Sequence, residues 1–455
     1  MKKAIVILLS ILGANVMVCA QNWVSIGGGL ILPGIVLYPD SASGKLFIGG
    51  EFETFNIMHG CFPANLIVSW DGLQFDSLAG GIKGGGNINT IINFQHQIYI
   101  GGNFGNGVRP LTDGFSRWNG LTFDSINRSF PQGDGPYKFC EFNNLLYCIG
   151  GFDSVGNIHS PYITAWNGNN WIPIGLPPHI SVNVGIDVCA EYNNKLYFAG
   201  EFYDSLSHTP FMFLTWDGTN WNNEAYNVGG WPVALAVYNY ELYIGGSYFI
   251  NLPGQNIVKY DGANFYSAGG DADSYVRGLK VIGDKLYATG VFHHAGGVPA
   301  NDIAVWDGYN WSALSNDIFY ADSAGHGGTI TDIAVYNNEL YITGSFHFIN
   351  SDTVHNIAKY NGWYLGENDL KKKQGEVEVY PNPTCTTLNL HMSSPATHEA
   401  SPLTIRITDV LGEELYKESW SGIDTGIDVS KWSEGVYFIT LRSQDSITTQ
   451  KFIKL

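Results

Sequence analysis

Apolar and polar residues alternate along this chain in short runs, and no segment sustains the spacing of an amphipathic helix. Residues 332 to 336 and 339 to 344 read as two strands joined at Asn337-Asn338, a pair suited to the positive φ of a two-residue hairpin turn. Asn143-Asn144 and Asn193-Asn194 repeat the device. A third strand then ends on an aromatic residue, and after a four-residue loop containing Gly a fourth strand opens on another. The pairs Trp70 with Phe75, Trp118 with Phe123, Trp166 with Trp171, Trp216 with Trp221, Tyr260 with Phe265 and Trp306 with Trp311 flank these loops. Cross-strand aromatic pairs of this kind contribute about 0.2 to 1 kcal/mol each.

The pattern recurs seven times. An aromatic followed by Asp or Asn and then Gly stands at Trp70, Trp118, Trp166, Trp216, Tyr260, Trp306 and Tyr360. A second marker precedes each, an apolar strand ending in Gly50, Gly102, Gly151, Gly200, Gly246, Gly290 or Gly344. Glycine there implies that a neighbouring backbone approaches too closely for a side chain.

A four-stranded unit with two apolar faces must stack on the next, and a closed ring leaves no unpaired end. The seventh unit stops at Asn361-Gly362-Trp363 without a fourth strand, while Asn22-Trp23-Val24-Ser25-Ile26-Gly27 matches the fourth strand of the third unit, Asn170-Trp171-Ile172-Pro173-Ile174-Gly175. Residues 22 to 27 are therefore expected to complete the last unit, with Trp23 across from Tyr360. The expected fold is all-β, a seven-bladed β-propeller of four-stranded blades over residues 21 to 366. The Gly-ended second strand, the downstream aromatics and the period of about 50 residues resemble kelch-type propeller repeats. The Asp/Asn-Gly after the aromatic departs from that pattern, and such rings host both enzymes and binding proteins.

The termini add two addresses. Lys2-Lys3, an apolar run from Ala4 to Val18 and small residues before Gln21 describe a secretory signal peptide over residues 1 to 20. Lipidation at Cys19 is the alternative, against which Val18 stands where a lipobox has Gly or Ala. After a polar linker at 367 to 375, residues 376 to 455 alternate as strands at Val377 and Val379, Leu388 and Leu390, Ile405 and Ile407, and Val436 and Phe438, which suits a small Ig-like β-sandwich. The runs Val379-Tyr380-Pro381-Asn382-Pro383, Asp409-Val410-Leu411-Gly412, Gly435-Val436-Tyr437-Phe438 and Lys451-Phe452-Ile453-Lys454 resemble the C-terminal sorting domain of Bacteroidetes type IX secretion substrates. That resemblance implies export to the medium or the outer cell surface, with the secretion machinery as partner.

Composition narrows the partners. The formal charge is −18, and residues 21 to 370 carry most of it, with 12 Lys+Arg against 30 Asp+Glu. Such a surface repels phosphate backbones, so no nucleic acid is expected, and no stretch past the N-terminus is long and apolar enough for a membrane span. Five cysteines remain after residue 20, an odd number without close spacing. Cys140 and Cys148 fall on opposite faces of their hairpin and read as small buried apolar residues.

No catalytic or metal-binding motif is present, and no cofactor is expected. Asp271-Ala272-Asp273 resembles the start of a calcium loop but lacks its later ligands and reads as a turn. Nine of the ten histidines in residues 21 to 366 fall in the longer loops, which share one face of a propeller; His96 alone sits in a short turn. His59, His159, His208, His293, His294, His347 and His355 are thus candidates for a face that binds glycan or protein. The same distribution follows from loop length alone. A second candidate is the channel mouth, where the first strands begin with Asn89, Tyr137, Asp187, Arg277 and Thr331. A binding module is the preferred reading; the alternative is a secreted hydrolase or lyase with Asp187 as acid or base and Arg277 holding an anion.

Overall fold

The structure is a computed structural model that describes residues 23–52, 64–82, 84–105, 114–126, 130, 135–183, 185–226, 229–315, 317–361, 377–380, 384, 386–392, 403–409, 413–420, 424–442 and 447–454. The expected signal peptide and linker, His59 and three of the cysteines (Cys19, Cys61 and Cys385) lie outside them. Two compact units divide the chain, Met1–Tyr364 and Leu365–Leu455. No helix among the described residues is long and apolar enough to cross a membrane.

The first unit contains seven antiparallel sheets of four or five strands. Their first strands, in chain order, are Gly34–Asp40, Gly86–Phe94, Pro136–Phe142, Val188–Tyr192, Gly229–Tyr238, Val276–Ile282 and Thr329–Tyr336. Each packs beside the next, and the seventh packs beside the first. Apolar clusters straddle consecutive sheets accordingly. Ile149 and Ile163 of the third sheet meet Leu196 and Phe198 of the fourth, and Leu46 and Ile48 of the first meet Ala334 and Tyr341 of the seventh. The seventh sheet takes its outer strand from the N-terminal side, where Trp23–Ser25 pairs with Ile357–Tyr360 in the register Trp23 to Tyr360.

The repeated residues have identifiable tasks. Asn143, Asn144, Asn193, Asn194, Asn337 and Asn338 all have φ between 48° and 59°, the geometry their turns require. In the first six units the acidic or amide residue after the strand-ending aromatic caps its own turn: Asp71 Oδ1 accepts from the N–H groups of Leu73 and Gln74 at 2.8 Å, and Asp307 does the same for Tyr309 and Asn310. The motif is therefore turn chemistry. A Cβ on Gly50, Gly102, Gly246, Gly290 or Gly344 would lie 2.0–2.4 Å from a backbone carbonyl oxygen at the head of the first strand, so glycine is obligatory there. In the third sheet the equivalent position is Gly150, paired with Pro136, one residue before the Gly151 expected from the sequence.

A further device joins neighbouring sheets. The Trp ending a third strand donates its indole N–H to a Tyr hydroxyl on the second strand of the preceding sheet: Trp166 to Tyr99 at 3.3 Å, Trp216 to Tyr147 at 3.0 Å and Trp306 to Tyr243 at 3.1 Å. Burial raises the acceptor phenols Tyr147 and Tyr243 above the ordinary tyrosine range.

Cysteine reads differently from the sequence expectation. Cys140 of the third sheet and Cys189 of the fourth form a disulfide, so Cys140 is a covalent staple between first strands. Cys148 is a free, buried thiol. The bridge spans 49 residues, about one repeat, and joins side chains that face each other only once the two sheets are stacked.

In the second unit a three-stranded sheet (Val377–Tyr380, Thr387–Met392, Asp424–Asp428) and a four-stranded sheet (Leu403–Asp409, Glu414–Trp420, Gly435–Arg442, Ile447–Lys454) share a core of Leu388, Leu390, Ile405, Ile407, Ile439 and Phe452 among others. In Gly435–Arg442 the buried residues are Tyr437, Ile439 and Leu441. The inward face is thus opposite to that marked by Val436 and Phe438, because a one-residue change of register exchanges the faces of a strand.

Candidate functional site

Six of the seven first strands break their ladders near the start, that of the fifth sheet twice, at Gly229 to Trp231 as well. The register skips a residue between Gly34 and Val36, Ile88 and Thr90, Pro136 and Lys138, Pro232 and Ala234, Val276 and Gly278, and Ile330 and Asp332. In the fourth sheet pairing starts at Val188, and Asp187 holds the same place. A bulge re-aims the extra side chain. The seven residues so placed, Ile35, Asn89, Tyr137, Asp187, Val233, Arg277 and Thr331, all line one cavity of ≈ 430 Å³ bordered by all seven first strands. The sequence-predicted Asn89, Tyr137, Asp187, Arg277 and Thr331 are thus brought together.

Their surroundings differ. Thr331 donates to the Gly34 carbonyl at 2.8 Å, and Asn89 to the Pro136 carbonyl at 3.4 Å, each reaching the following sheet. Burial, with the charge of Glu201 adding to it, pushes the Asp187 carboxyl up to about 6. The Arg277 guanidinium lies 5.3 Å from the centre of the Tyr275 ring, within cation–π range. Below the bulge level the cavity is lined by Lys138, Lys280 and Asp332, residues that alternation alone did not single out.

A second concavity, of ≈ 560 Å³, lies where the fourth and fifth sheets are longest. Lys195–Asp204, Thr209–Trp216, Gly229–Tyr238 and Glu241–Ile250 run eight to ten residues, and Ile180–Val182 adds a fifth strand beside Phe202 to Asp204. Phe202 and Phe211 stack at 5.2 Å in its floor. Its walls include Ser181, Asn183, Glu201, Tyr203, Pro210 and Ile250. Asn183 donates to Glu201 at 2.8 Å, and Ile250 is 61% exposed. None of these wall residues was a sequence candidate; the readable signal was the greater strand length in these two units.

The histidines divide. The rings of His347 and His355 meet at 5.6 Å, and burial with the nearby His347 holds His355 below the usual histidine range. His294 contacts Asp273 at 2.8 Å, His159 contacts Asp153 at 3.3 Å, and His208 contacts the Tyr203 hydroxyl at 3.3 Å. His293 meets Asp273 through its backbone N–H. Each partner lies in the histidine's own loop or the one beside it. Asp271 accepts from the backbone of Gln255, Asn256 and Ile257, which accounts for the acidic pair at 271 and 273 as loop staples. No group of three His, Cys, Asp or Glu residues suited to a metal ion occurs among the described residues.

Residues 378–455 match the family model of the secretion system C-terminal sorting domain. The protein is a type IX secretion substrate, secreted or displayed on the cell surface. None of the curated proteins matches the chain. Among solved structures it is similar to PorZ, an essential bacterial surface component of the type IX secretion system of Porphyromonas gingivalis, at 14% identity and a TM-score of 0.44, over 94% of this chain and 59% of that one. It is also similar to two extracellular domains of hybrid two-component systems of B. thetaiotaomicron, at 8% and 10% identity and TM-scores of 0.46 and 0.42. These cover 95% and 93% of this chain and 57% of each of those. The chain spans less than two thirds of the length of these solved chains.

Proposed function

We propose that the protein is a surface binding module: a seven-bladed β-propeller over residues 21 to 366 whose long-loop face recognises a glycan or a protein, delivered by a signal peptide and an Ig-like sorting domain. The observation that carries this reading is the groove between the fourth and fifth sheets. It combines exposed apolar and aromatic walls, Ile250 and Tyr203, with the polar pair Asn183 and Glu201, the mixture typical of ligand sites. A glycan and extracellular-matrix array on the purified protein tests it. Binding of one class, weakened in Asn183→Ala and Glu201→Gln, supports the groove; an array without a hit, or hits indifferent to both variants, rejects it.

Asp187 supports a second reading. A carboxyl held near 6 by burial and the charge of Glu201, in the cavity that Arg277 also lines, has the properties of a general acid, so a hydrolase or lyase at the channel mouth is the alternative. Turnover of an array hit, lost in Asp187→Asn, would favour it.

A further inference from the structure

Three cations, Lys138, Arg277 and Lys280, line the lumen together with two carboxyls, Asp187 and Asp332. Lys138 and Lys280 line the same cavity, and the Lys280 charge helps to hold the Lys138 amine below the usual lysine range. Burial by the surrounding strands is the larger cause, although the Lys138 side chain still reaches solvent in the lumen. Asp332 is the acidic neighbour, and its oxygens are already engaged. One accepts from the Leu37 N–H at 2.9 Å; the other accepts from the Ile333 N–H at 2.9 Å and lies 3.5 Å from the Lys280 amine. Among the described residues neither Lys138 nor Arg277 has a carboxylate at ion-pair distance.

Asp332 offsets one of the two ammonium charges, so the pair keeps a mutual repulsion that one further anion would relieve. Low-dielectric walls strengthen that repulsion and equally strengthen attraction for an anion. Above them the bulge residues Asn89, Tyr137 and Arg277 offer an amide, a phenol and a guanidinium, groups that hydrogen-bond hydroxyls and carboxylates. The volume, ≈ 430 Å³, falls in the range of about 300–1,000 Å³ usual for small-molecule sites.

We propose that the lumen binds a small hydroxylated carboxylate, such as a sugar acid, with its carboxylate between Lys138 and Lys280 and its hydroxyls toward the ring of bulge residues. This site is separate from the groove, and either can fail without the other. The test is isothermal titration calorimetry on the purified protein with galacturonate and gluconate as probes, against galactose and inorganic phosphate. At least one of the two carboxylates should bind, more weakly at high salt, and galactose should not. Lys138→Met and Lys280→Met should each weaken binding by about ten- to a hundredfold, the loss expected for a charge-assisted hydrogen bond. Lys138→Arg should retain it, and Asn183→Ala, in the groove, should leave it unchanged. Failure of both carboxylates to bind, equal binding of galactose, binding of phosphate alone, or parental affinity in both methionine variants overturns the proposal. Should one methionine variant not fold, the other, together with Lys138→Arg, decides.

Discussion

Trp23 stands directly across from Tyr360, with the two ring centroids 4.7 Å apart. Trp23 is fully buried, and its ring also meets Phe319 at 5.9 Å, so the outermost strand of the seventh sheet carries a core residue. Trp23→Ala should destabilise by about 3–5 kcal/mol, and deleting residues 21 to 30 by more. Thermal unfolding checks both; a variant melting with the parent would remove the energetic role of this strand.

Asp302 presents a buried carboxyl. It holds the position that Asn356 holds in the seventh sheet and Asn256 in the fifth, each accepting at its carbonyl from the glycine ending the second strand. Those asparagines donate to the carbonyls of Leu30 and Ala272 at 2.8 Å. A carboxylate cannot donate, and burial pushes Asp302 up to about 7. The folded protein therefore binds this proton more tightly than the unfolded chain. The stabilisation is complete below about pH 4 and is lost as pH rises through about 7. Asp302→Asn should stabilise by roughly 1–4 kcal/mol at pH 8 and far less at pH 5. Denaturant melts at the two values read this directly, and a less stable variant at pH 8 would refute it.

The Cys140–Cys189 bridge joins two sheets across 49 residues. Its removal in the Cys140→Ala, Cys189→Ala double variant should cost about 2–4 kcal/mol. Cys148, buried and with its thiol pushed up by burial, should resist alkylation in the native protein. Rapid labelling of Cys148 before unfolding would contradict its placement.

Deleting residues 375 to 455 removes the sorting domain without cutting any strand of the first unit. The remainder should keep its melting transition and fail to reach the outer surface of its native host. Equal surface display with and without the tail is the opposing result.

What the sequence made legible were features repeated from unit to unit. The Asn pairs, the strand-ending glycines and the aromatic pairs each answer a local backbone demand, so their positions follow from turn and strand chemistry alone. Even Trp23 was legible, because a strand missing at one end matched a strand surplus at the other. The Cys140–Cys189 bridge was not, since it depends on which side chains of two stacked sheets face each other. Nor was Lys138, which reaches the lumen because the Tyr137 bulge shifts the alternation by one residue. The groove arises from a departure from the repeat, the lengthened strands of the fourth and fifth sheets, and a periodic reading averages such departures away.

The borrowed outer strand also sets an order of events. While the chain is being made, Trp23–Ser25 has no partner until Ile357–Tyr360 exists, so six sheets can assemble before the seventh is complete. Closure is the pairing of greatest sequence separation and should come late. Until then the seventh sheet has an open edge capable of recruiting another molecule's strand. The waiting strand is only three residues long, which gives a foreign chain little to grasp and makes premature pairing easy to reverse.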